Sequence, residues 1–207
     1  MNTYRAGIIG CGNPVNVNPG VGEGYRIGYA HGTGYQATGR VEIVAVADIV
    51  ENNAKAYAEK FHVPHIYKDY KEMLNKESLD IVSVCTWPIF HERMVCDASE
   101  AGVKGILCEK PMAVNMREVK SMVETCKRNG TVLYISHQRR YHPLHQFVRK
   151  TIESGLIGKV TRLEGWVGGG WDLMSWGTHW VDMLRYYLGD PKVESVFAQA
   201  DCTRRQE

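Results

Sequence analysis

The chain has 207 residues, of which 44% are hydrophobic and 23% charged, and its formal net charge at pH 7 is +2. These fractions are ordinary for a soluble globular protein of one large domain, or of one domain and part of a second. The small net charge is not concentrated in any basic run, which argues against a nucleic-acid partner. No apolar run reaches the roughly 20 residues that a membrane-spanning helix needs, so no membrane partner is expected.

Short apolar runs alternate with helical patterns as far as Ile135. The predicted strands are Tyr4–Ile9, Val41–Ala47, Ile81–Cys85, Gly105–Cys108 and Thr131–Ile135. The predicted helices lie near Arg26–Thr38, Glu51–Phe61, Asp69–Asn75, His91–Ala101 and Met116–Arg128. Strands rich in Val and Ile that alternate with helices are typical of βαβ units, whose crossovers are right-handed. The pattern therefore predicts an α/β fold with a Rossmann-type, doubly wound parallel sheet.

The pattern changes after Ile135, and we place a domain boundary near residue 137. The elements predicted beyond it are a helix from Pro143 to about Ser154, a strand Val160–Val167, a helix from about Gly177 to Leu188 and a strand Val193–Ala200. Residues 1–137 then form the Rossmann domain, and residues 138–207 begin an α+β domain. So few strands bury little apolar surface, which favours a fragment of a longer protein or a partner that covers the sheet edge.

The second of these helices has two distinct sides. Its apolar stripe consists of Trp180, Met183, Leu184, Tyr187 and Leu188, which recur at the spacing of one helical face. His179, Asp182 and Tyr186 are expected together on the side opposite that stripe.

The six cysteines show no C-x-x-C spacing and no disulfide framework of a small domain. Free thiols in a reducing compartment are therefore expected. The first residues lead directly into an apolar run, without the charged and apolar regions of a signal peptide. The sequence thus predicts a cytoplasmic location, and we predict no metal site.

A glycine-rich turn follows the first predicted strand. Gly10-Cys11-Gly12 matches the start of the dinucleotide-binding fingerprint, whose first glycine allows a tight turn and whose second lets the backbone approach a pyrophosphate. The third glycine is expected where the next helix opens, and we assign it to Gly28. Asn13–Ile27 is then an insertion of about 13 residues near the cofactor. The alternative is a Gly-rich surface loop.

Asp48 ends the second predicted strand, where a carboxylate can accept a hydrogen bond from an adenosine 2′-hydroxyl. Ile49 and Val50 follow it, so no arginine stands beside it to bind a 2′-phosphate. The cofactor predicted is therefore NAD rather than NADP. As an alternative or in addition, Asp48 caps the helix that starts at Glu51.

The stretch Cys108-Glu109-Lys110-Pro111 presents an acid and an amine where a short apolar strand ends. Lys110 precedes a proline, so its backbone is held extended rather than helical. Open α/β sheets bind ligands at the carboxyl ends of their strands, which makes Glu109 and Lys110 candidate site residues. The alternative is a lysine at a surface turn.

Taken together, the chain resembles the glucose–fructose oxidoreductase / inositol dehydrogenase (Gfo/Idh/MocA) family. The residues that carry the resemblance are Ile9-Gly10-Cys11-Gly12, Ala47-Asp48, Thr86-Trp87-Pro88 with His91, Cys108-Glu109-Lys110-Pro111, His137-Gln138-Arg139-Arg140-Tyr141, and Gly168 to Asp182. The resemblance implies a Rossmann domain followed by a domain on a large, mostly antiparallel sheet, which carries the substrate site and often an oligomer interface. Members are usually much longer, so the chain is expected to stop just inside its second domain.

The resemblance also implies roles for individual residues. The implied cofactor-binding residues are Gly10, Cys11, Gly12, Gly28, Asp48, Thr86, Trp87, Pro88, His91, Glu109 and Lys110. The implied substrate residues are Arg140, Tyr141, Ser175, Trp176 and His179. Glu109 and Lys110 would lie near the nicotinamide ribose and the substrate hydroxyl.

The segment Trp176 to Asp182 resembles the catalytic histidine motif of the family, which makes His179 the general base and Lys110 its catalytic partner. The family typically has an aspartate four residues before this histidine. Here that position is Ser175, and the nearest upstream carboxylate is Asp172. A neutral serine cannot raise the pKa of a histidine as a carboxylate does. The alternative for His179 is a hydrogen-bonded histidine under a Trp-rich surface.

The activity implied is hydride transfer between NAD and a secondary alcohol of a sugar, cyclitol or related polyol. Two other functions stay open. One is a non-catalytic dinucleotide-binding regulatory protein, which Ser175 and the short second domain favour. The other is a glycosidase of the same family that uses tightly held NAD. A homo-oligomer through the sheet of the second domain is also expected.

Overall fold

Six short strands form one parallel sheet in the first part of the chain. The computed structural model describes residues 3–14, 26–166 and 173–199, and only the backbone of residues 174 and 175. The strands are β1 (Tyr4–Ile9), β2 (Val41–Ala47), β3 (His65–Tyr67), β4 (Ile81–Val84), β5 (Gly105–Cys108) and β6 (Val132–Ile135). Their order in the sheet is β3-β2-β1-β4-β5-β6. The direction of winding reverses between β1 and β4, so the predicted doubly wound fold is confirmed.

Five helices connect these strands, and their bounds agree with the predicted ones to within three residues. They are α1 (Ile27–Thr38), α2 (Glu51–Phe61), α3 (Tyr70–Lys76), α4 (Pro88–Glu100) and α5 (Met116–Asn129). The strand β3 was not predicted. It has three residues, of which His65 and Ile66 are exposed, so it lacks the apolar run that marks the other strands.

The register of the sheet fixes where the site lies. Ile9 at the end of β1 pairs with Ala47 on one side and with Val84 on the other, and Val84 in turn pairs with Cys108. The residues that follow these strands therefore emerge at one edge. Ile8 and Ile9 belong to two different buried clusters, because successive side chains of a strand point to opposite faces.

The chain divides into two compact units, Met1–His137 and Gln138–Glu207. The second begins with a 3₁₀ turn, Gln138–Tyr141, and contains α6 (Pro143–Glu153). A π-helical turn, Leu173–Gly177, leads into α7 (Thr178–Tyr187).

The prediction of two strands in the second unit is wrong for the residues that the structure describes. Residues 160–166 and 193–199 form no strand. Residues 167 and 200, where those strands were to end, lie outside the described part of the chain. Trp166 is 85% exposed and Phe197 is 90% exposed. An apolar, β-prone sequence forms a strand only with a partner to complete its hydrogen bonds, and no strand pairs with either segment in the described residues.

The buried face of α7 also differs from the prediction. His179, Met183 and Tyr186 are its buried residues, whereas Leu188, assigned to the apolar stripe, is exposed. The guanidinium groups of Arg140 and Arg149 lie 5.2 and 4.6 Å from the centre of the Tyr186 ring. Cation–π contacts of this kind stabilise the buried Tyr186 ring. The spacing of apolar residues along the helix does not predict such contacts.

Candidate functional site

The turn after β1 packs too closely for a side chain at Gly10, and Gly28 packs as closely against it. Gly10 and Gly12 have φ values of 86° and 77°, in the left-handed region. A Cβ on Gly10 would lie 2.8 Å from Thr86 Cγ2. A Cβ on Gly28 would lie 2.8 Å from the carbonyl oxygen of Gly10 and 2.9 Å from that of Cys11. Gly28 therefore packs α1 directly on the turn, as the third glycine of the fingerprint does. Of the predicted insertion Asn13–Ile27, residues 15–25 lie outside the described residues.

The Asp48 carboxylate bridges the glycine turn and the start of α2. Its Oδ2 accepts hydrogen bonds from the backbone amides of Cys11, at 2.8 Å, and Gly12, at 3.3 Å. Its Oδ1 accepts from the amide of Val50 at 2.8 Å, and Val50 itself is the N-cap residue of α2. The carboxylate thus lies against the turn that follows β1.

Cys11 contributes backbone rather than thiol chemistry. Its side chain is fully buried. Burial and the nearby Asp48 carboxylate raise the pKa of the thiol well above its usual range. A neutral thiol is a poor nucleophile, and the polar contact of this residue is that of its amide with Asp48.

The segment after β4 contains two exposed aromatic residues, Trp87 and Phe90, and one fully buried histidine. Trp87 is exposed and is the N-cap residue of α4, with Pro88 in the first turn. The ring nitrogens of His91 lie 3.0 Å from the carbonyl oxygens of Thr86 and Pro111. Burial lowers the pKa of His91. His91 therefore joins the segments that follow β4 and β5 and presents no surface of its own.

Glu109, directly after β5, ends in a buried polar network. Its Oε1 lies 3.0 Å from His31 Nε2, and its Oε2 accepts a hydrogen bond from the Lys110 amide at 3.2 Å. Burial would raise the pKa of Glu109, but hydrogen bonds from His31 and Ser136 outweigh it and hold the pKa below its usual value. The carboxylate is thus stabilised in its charged form, and Lys110 follows it half-buried at the sheet edge.

His31 was not among the predicted site residues. It lies on α1, and Gly28, Gly32 and Tyr35 lie on the same face of that helix. The available signal was a histidine on the face that packs against the sheet, one turn beyond the glycine fingerprint.

In the second unit, Arg140 forms ion pairs with two carboxylates. Its Nε and Nη2 donate to Asp182, with a shortest distance of 2.7 Å, and its Nη1 and Nη2 donate to Asp190 at 2.9 and 2.7 Å. Hydrogen bonds to Asp190 and Asp182 raise the pKa of Arg140, and the pair with Arg140 lowers that of Asp190. All three guanidinium nitrogens are therefore engaged within the unit. Tyr141, the next residue, is exposed.

His179 lies in the first turn of α7 and is 5% exposed. Its ring is 6.1 Å from that of Trp176, at an interplanar angle of 62°. The Arg139 guanidinium lies 5.6 Å from the ring centres of both Trp176 and Trp180, a contact the sequence did not predict. The backbone of Ser175 is part of the π-helical turn before α7, and Asp172 lies outside the described residues.

A family model described as "Oxidoreductase family, NAD-binding Rossmann fold" (GFO_IDH_MocA) matches residues 20–137. The chain belongs to the Gfo/Idh/MocA family. The resemblance stated from the sequence is thereby confirmed, as is NAD as the cofactor of this Rossmann fold. In the part of the chain that the structure describes, no helix is long and apolar enough to cross a membrane.

Characterised relatives of this Gfo/Idh/MocA chain include myo-inositol 2-dehydrogenase of Thermotoga maritima, 29% identical over 94% of this chain and 57% of the relative. D-glucoside 3-dehydrogenase of Escherichia coli K12 is 30% identical over 87% of this chain and 56% of the relative. Among solved structures, the WlbA dehydrogenase of Bordetella pertussis, in complex with NADH and UDP-GlcNAcA, superimposes with a TM-score of 0.74 at 25% identity, over 90% of this chain and 59% of that protein. The chain thus spans between half and three fifths of the length of these relatives.

Proposed function

We propose that this chain supplies the cofactor-binding domain and the beginning of the substrate domain of an NAD-dependent dehydrogenase acting on CH–OH groups of a sugar, cyclitol or related polyol. The observation that carries the proposal is the packing of Gly28 on the Gly10 carbonyl, with Asp48 against the same turn. That arrangement lies at the switch point of a doubly wound sheet, where such sheets bind ligands. The names of the relatives, an inositol dehydrogenase and a glucoside dehydrogenase, support the substrate class.

The residues of the glycine turn fit a dinucleotide. No Cβ stands between the backbone of Gly10, Gly12 or Gly28 and a pyrophosphate, and the first turn of α1 offers its amides to an anion. The Asp48 carboxylate, held against the turn, would accept a hydrogen bond from the adjacent ribose. The exposed Trp87 and the half-buried Thr86 and Pro88 would line the cofactor from the end of β4.

The protein's part in the reaction is to orient the alcohol and remove its proton. NAD, when bound, supplies the hydride acceptor. Lys110 would donate a hydrogen bond from Nζ to the substrate oxygen and stabilise the negative charge that develops there. His179 would accept the hydroxyl proton on a ring nitrogen as general base. Trp176, whose ring packs edge-on against His179, would help to hold that ring in place.

Arg140 and Tyr141 would approach the substrate from the start of the second unit. Because Arg140 is paired with Asp182 and Asp190, it would act by holding its segment to α7, and the exposed Tyr141 would make the substrate contact. The non-catalytic function remains the second candidate, because Ser175 cannot carry the charge of the usual aspartate.

The proposal is tested on the protein encoded by the complete reading frame. NADH fluorescence is followed during incubation of NAD with a panel that includes myo-inositol and simple glucosides. Net formation of NADH with at least one polyol is expected. Tight NAD binding without turnover of any panel member would instead establish the non-catalytic function. Release of free sugar without net NADH would establish the glycosidase activity.

The assembly and location of the protein form a second part of the proposal. Its described cysteines, Cys11, Cys85, Cys96, Cys108 and Cys126, are free, which is typical of a cytoplasmic protein. Apolar side chains of the second unit, among them Trp166 and Phe197, are exposed, which favours burial against a second copy of the chain. Sedimentation of the complete protein is expected to give an oligomer, and a monomer at all concentrations would contradict this.

A further inference from the structure

We infer that His31 is a positioning residue, which holds the ionised Glu109 at the carboxyl end of β5 and through it orients the backbone of Lys110. The contacts form a continuous chain within the first unit. His31 Nε2 lies 3.0 Å from Glu109 Oε1, and Glu109 Oε2 accepts from the Lys110 amide at 3.2 Å. His31 is 8% exposed and Glu109 is 4% exposed, so water does not satisfy either group. A buried carboxylate without donors is costly, and His31 is one of its two side-chain donors, with Ser136.

The rest of the network fixes which ring nitrogen carries the proton. An ionised carboxylate only accepts hydrogen bonds, so His31 Nε2 must be protonated. His31 Nδ1 lies 2.9 Å from Ser83 Oγ, and Ser83 Oγ lies 2.7 Å from the Tyr35 hydroxyl. In neutral His31, Ser83 donates to Nδ1 and Tyr35 donates to Ser83. Each hydroxyl and ring nitrogen in the series from Tyr35 through Ser83 and His31 then has a partner, and Glu109 is the last acceptor.

Several other titratable groups face this pair from the elements around it. They are Tyr35 on the same helix, Cys85 after β4, Cys108 at the end of β5, and His91 on α4. Burial raises the pKa values of the two thiols and lowers that of His91, so these groups are neutral near pH 7. Burial also raises the pKa of Tyr35, to about 12. Glu109 is therefore the charged member of this set near pH 7, and its side-chain donors are His31, at Oε1, and Ser136.

The same substitution made in two proteins separates the donor role of His31 from the space that its ring fills. Glu109→Gln is made in the wild type and in His31→Leu, and urea unfolding of the four proteins is followed without cofactor at pH 5 and pH 7.5. In the wild type, Glu109→Gln is expected to lower the urea midpoint, because it removes the charged acceptor of His31. In His31→Leu it is expected to lower the midpoint less, or to raise it, at pH 7.5, because the buried charge that it removes has lost its His31 donor.

The direction in which the pKa of Glu109 is shifted predicts how the effect of Glu109→Gln depends on pH. With His31 present, the folded pKa of Glu109 lies below the unfolded one, so its stabilisation is complete above the unfolded pKa and is lost on acidification. Removal of His31 takes away one of the contacts that lower the folded pKa of Glu109, so that pKa rises. The charged form of Glu109 then loses stabilisation, so the effect of Glu109→Gln should differ between the two backgrounds more at pH 7.5 than at pH 5. Glu109→Gln that lowers the midpoint equally in both backgrounds would overturn the inference.

Two further measurements keep the inference testable if His31→Leu does not fold. The ¹⁵N-detected tautomer of His31 in the wild type is expected to have a proton on Nε2, and an unprotonated Nε2 would overturn the inference. His31→Gln places an amide donor near the same position and should keep the midpoint closer to the wild-type value than His31→Ala does. Equal losses in these two variants would contradict a donor role.

The consequence for the site rests on the proposed function. His31→Leu is expected to weaken NADH binding by about tenfold, the effect of one charge-assisted contact, with partial recovery in His31→Gln. Tyr35→Phe is the matched control, because it removes the hydroxyl farthest from Glu109 in this series of hydrogen bonds and leaves the contact between His31 and Glu109. If wild-type protein did not bind NADH, the proposed function would fail, and the unfolding measurements would still decide the role of His31.

Discussion

Asp48 Oδ2 lies 2.8 Å from the backbone nitrogen of Cys11, so the carboxylate at the end of β2 holds the glycine turn at the end of β1. The same oxygen accepts the amide of Gly12 at 3.3 Å. One side chain therefore shapes the turn proposed to meet the pyrophosphate and is also the side chain proposed to bind the adjacent ribose. Replacing Asp48 should affect both the fold of the turn and the choice of cofactor.

The first prediction concerns that choice. NAD should bind wild-type protein about ten- to a hundredfold more tightly than NADP, the difference made by one charge-assisted contact of roughly 1.5–3 kcal/mol. Asp48→Asn should reduce this preference, because the neutral amide no longer repels a 2′-phosphate. Fluorescence titration with NADH and NADPH measures both affinities. Tighter NADPH than NADH binding by the wild type would contradict the role of Asp48.

A matched control for Asp48→Asn is available on α3. Asp69 is the N-cap residue of that helix and accepts a hydrogen bond from the Lys71 amide at 2.9 Å, whereas Asp48 accepts from the glycine turn. Asp69→Ala should cost about 1 kcal/mol of stability, as loss of an N-cap does, without changing the cofactor preference.

The second prediction concerns the packing of α1 on the turn. Gly28→Ala places a methyl group 2.8 Å from the Gly10 carbonyl oxygen and 2.9 Å from that of Cys11, so backbone must move. We expect a destabilisation of about 1–3 kcal/mol from this overpacking, and a loss of NADH affinity. Urea unfolding and NADH titration measure the two effects.

Gly34→Ala in the same helix is the control for Gly28→Ala. A Cβ at Gly34 meets nothing within 4 Å, so its effect should be that of helix propensity alone. It should stabilise the protein by about 0.5–1 kcal/mol and leave NADH affinity unchanged. If both alanine variants behaved alike, the close contact at Gly28 would not matter.

The glycine fingerprint shows how far the sequence alone could reach. Gly28 could be assigned despite the long insertion, because a turn after β1 and a helix start were both recognisable from residue types. The hydrogen bonds of Asp48 to Cys11 and Gly12 could not be predicted, since they depend on the register that brings the ends of β1 and β2 together. The pairing of His31 with Glu109 joins residues 78 positions apart, and no local pattern indicates it.

The second unit was harder to predict for a related reason. Its helices follow from local periodicity and capping, and both α6 and α7 are present. The strands predicted at residues 160–167 and 193–200 depend on partners that local sequence cannot supply, and the described residues there form none. Likewise, the burial of Tyr186 on α7 depends on Arg140 and Arg149, which come from earlier segments.

The third prediction concerns the ion-pair cluster of the second unit. Arg140→Leu removes the ion-pair partner that Asp182 and Asp190 share, and Arg149 Nη1 remains 3.8 Å from Asp190. The folded pKa of Asp190 is depressed by Arg140, so its stabilisation is present above the unfolded pKa and is lost as the pH falls below it. Arg140→Leu should therefore lower the melting temperature more at pH 7 than at pH 3.

Arg162→Leu serves as the control for Arg140→Leu. Arg162 pairs with Glu164 at the surface and its side chain is 81% exposed, so its removal should change stability by no more than about 1 kcal/mol. A pH-independent effect of Arg140→Leu, or an equal effect of both variants, would show that the cluster does not stabilise the unit through charge.

The last prediction assigns the chemistry to Lys110 and His179. If the complete protein oxidises a polyol, Lys110→Ala removes stabilisation of the developing alkoxide and His179→Ala removes the base. Loss of a general base should lower kcat by roughly 10²–10⁴-fold. NADH affinity should change little in His179→Ala, because this residue is proposed to face substrate. Stopped-flow turnover and NADH titration on the same preparations separate the two effects.

The residues before α7 give this assignment its sharpest test. Since Ser175 replaces the usual aspartate, Ser175→Ala should cost little activity, whereas Ser175→Asp should raise kcat by stabilising a protonated His179. If Asp172 has taken over that role, Asp172→Asn is the damaging substitution, and Ser175→Asp adds nothing. Wild-type turnover in His179→Ala would remove this histidine from the mechanism. Because His179 is buried beside Trp176, His179→Gln with an unchanged melting temperature distinguishes lost chemistry from lost packing.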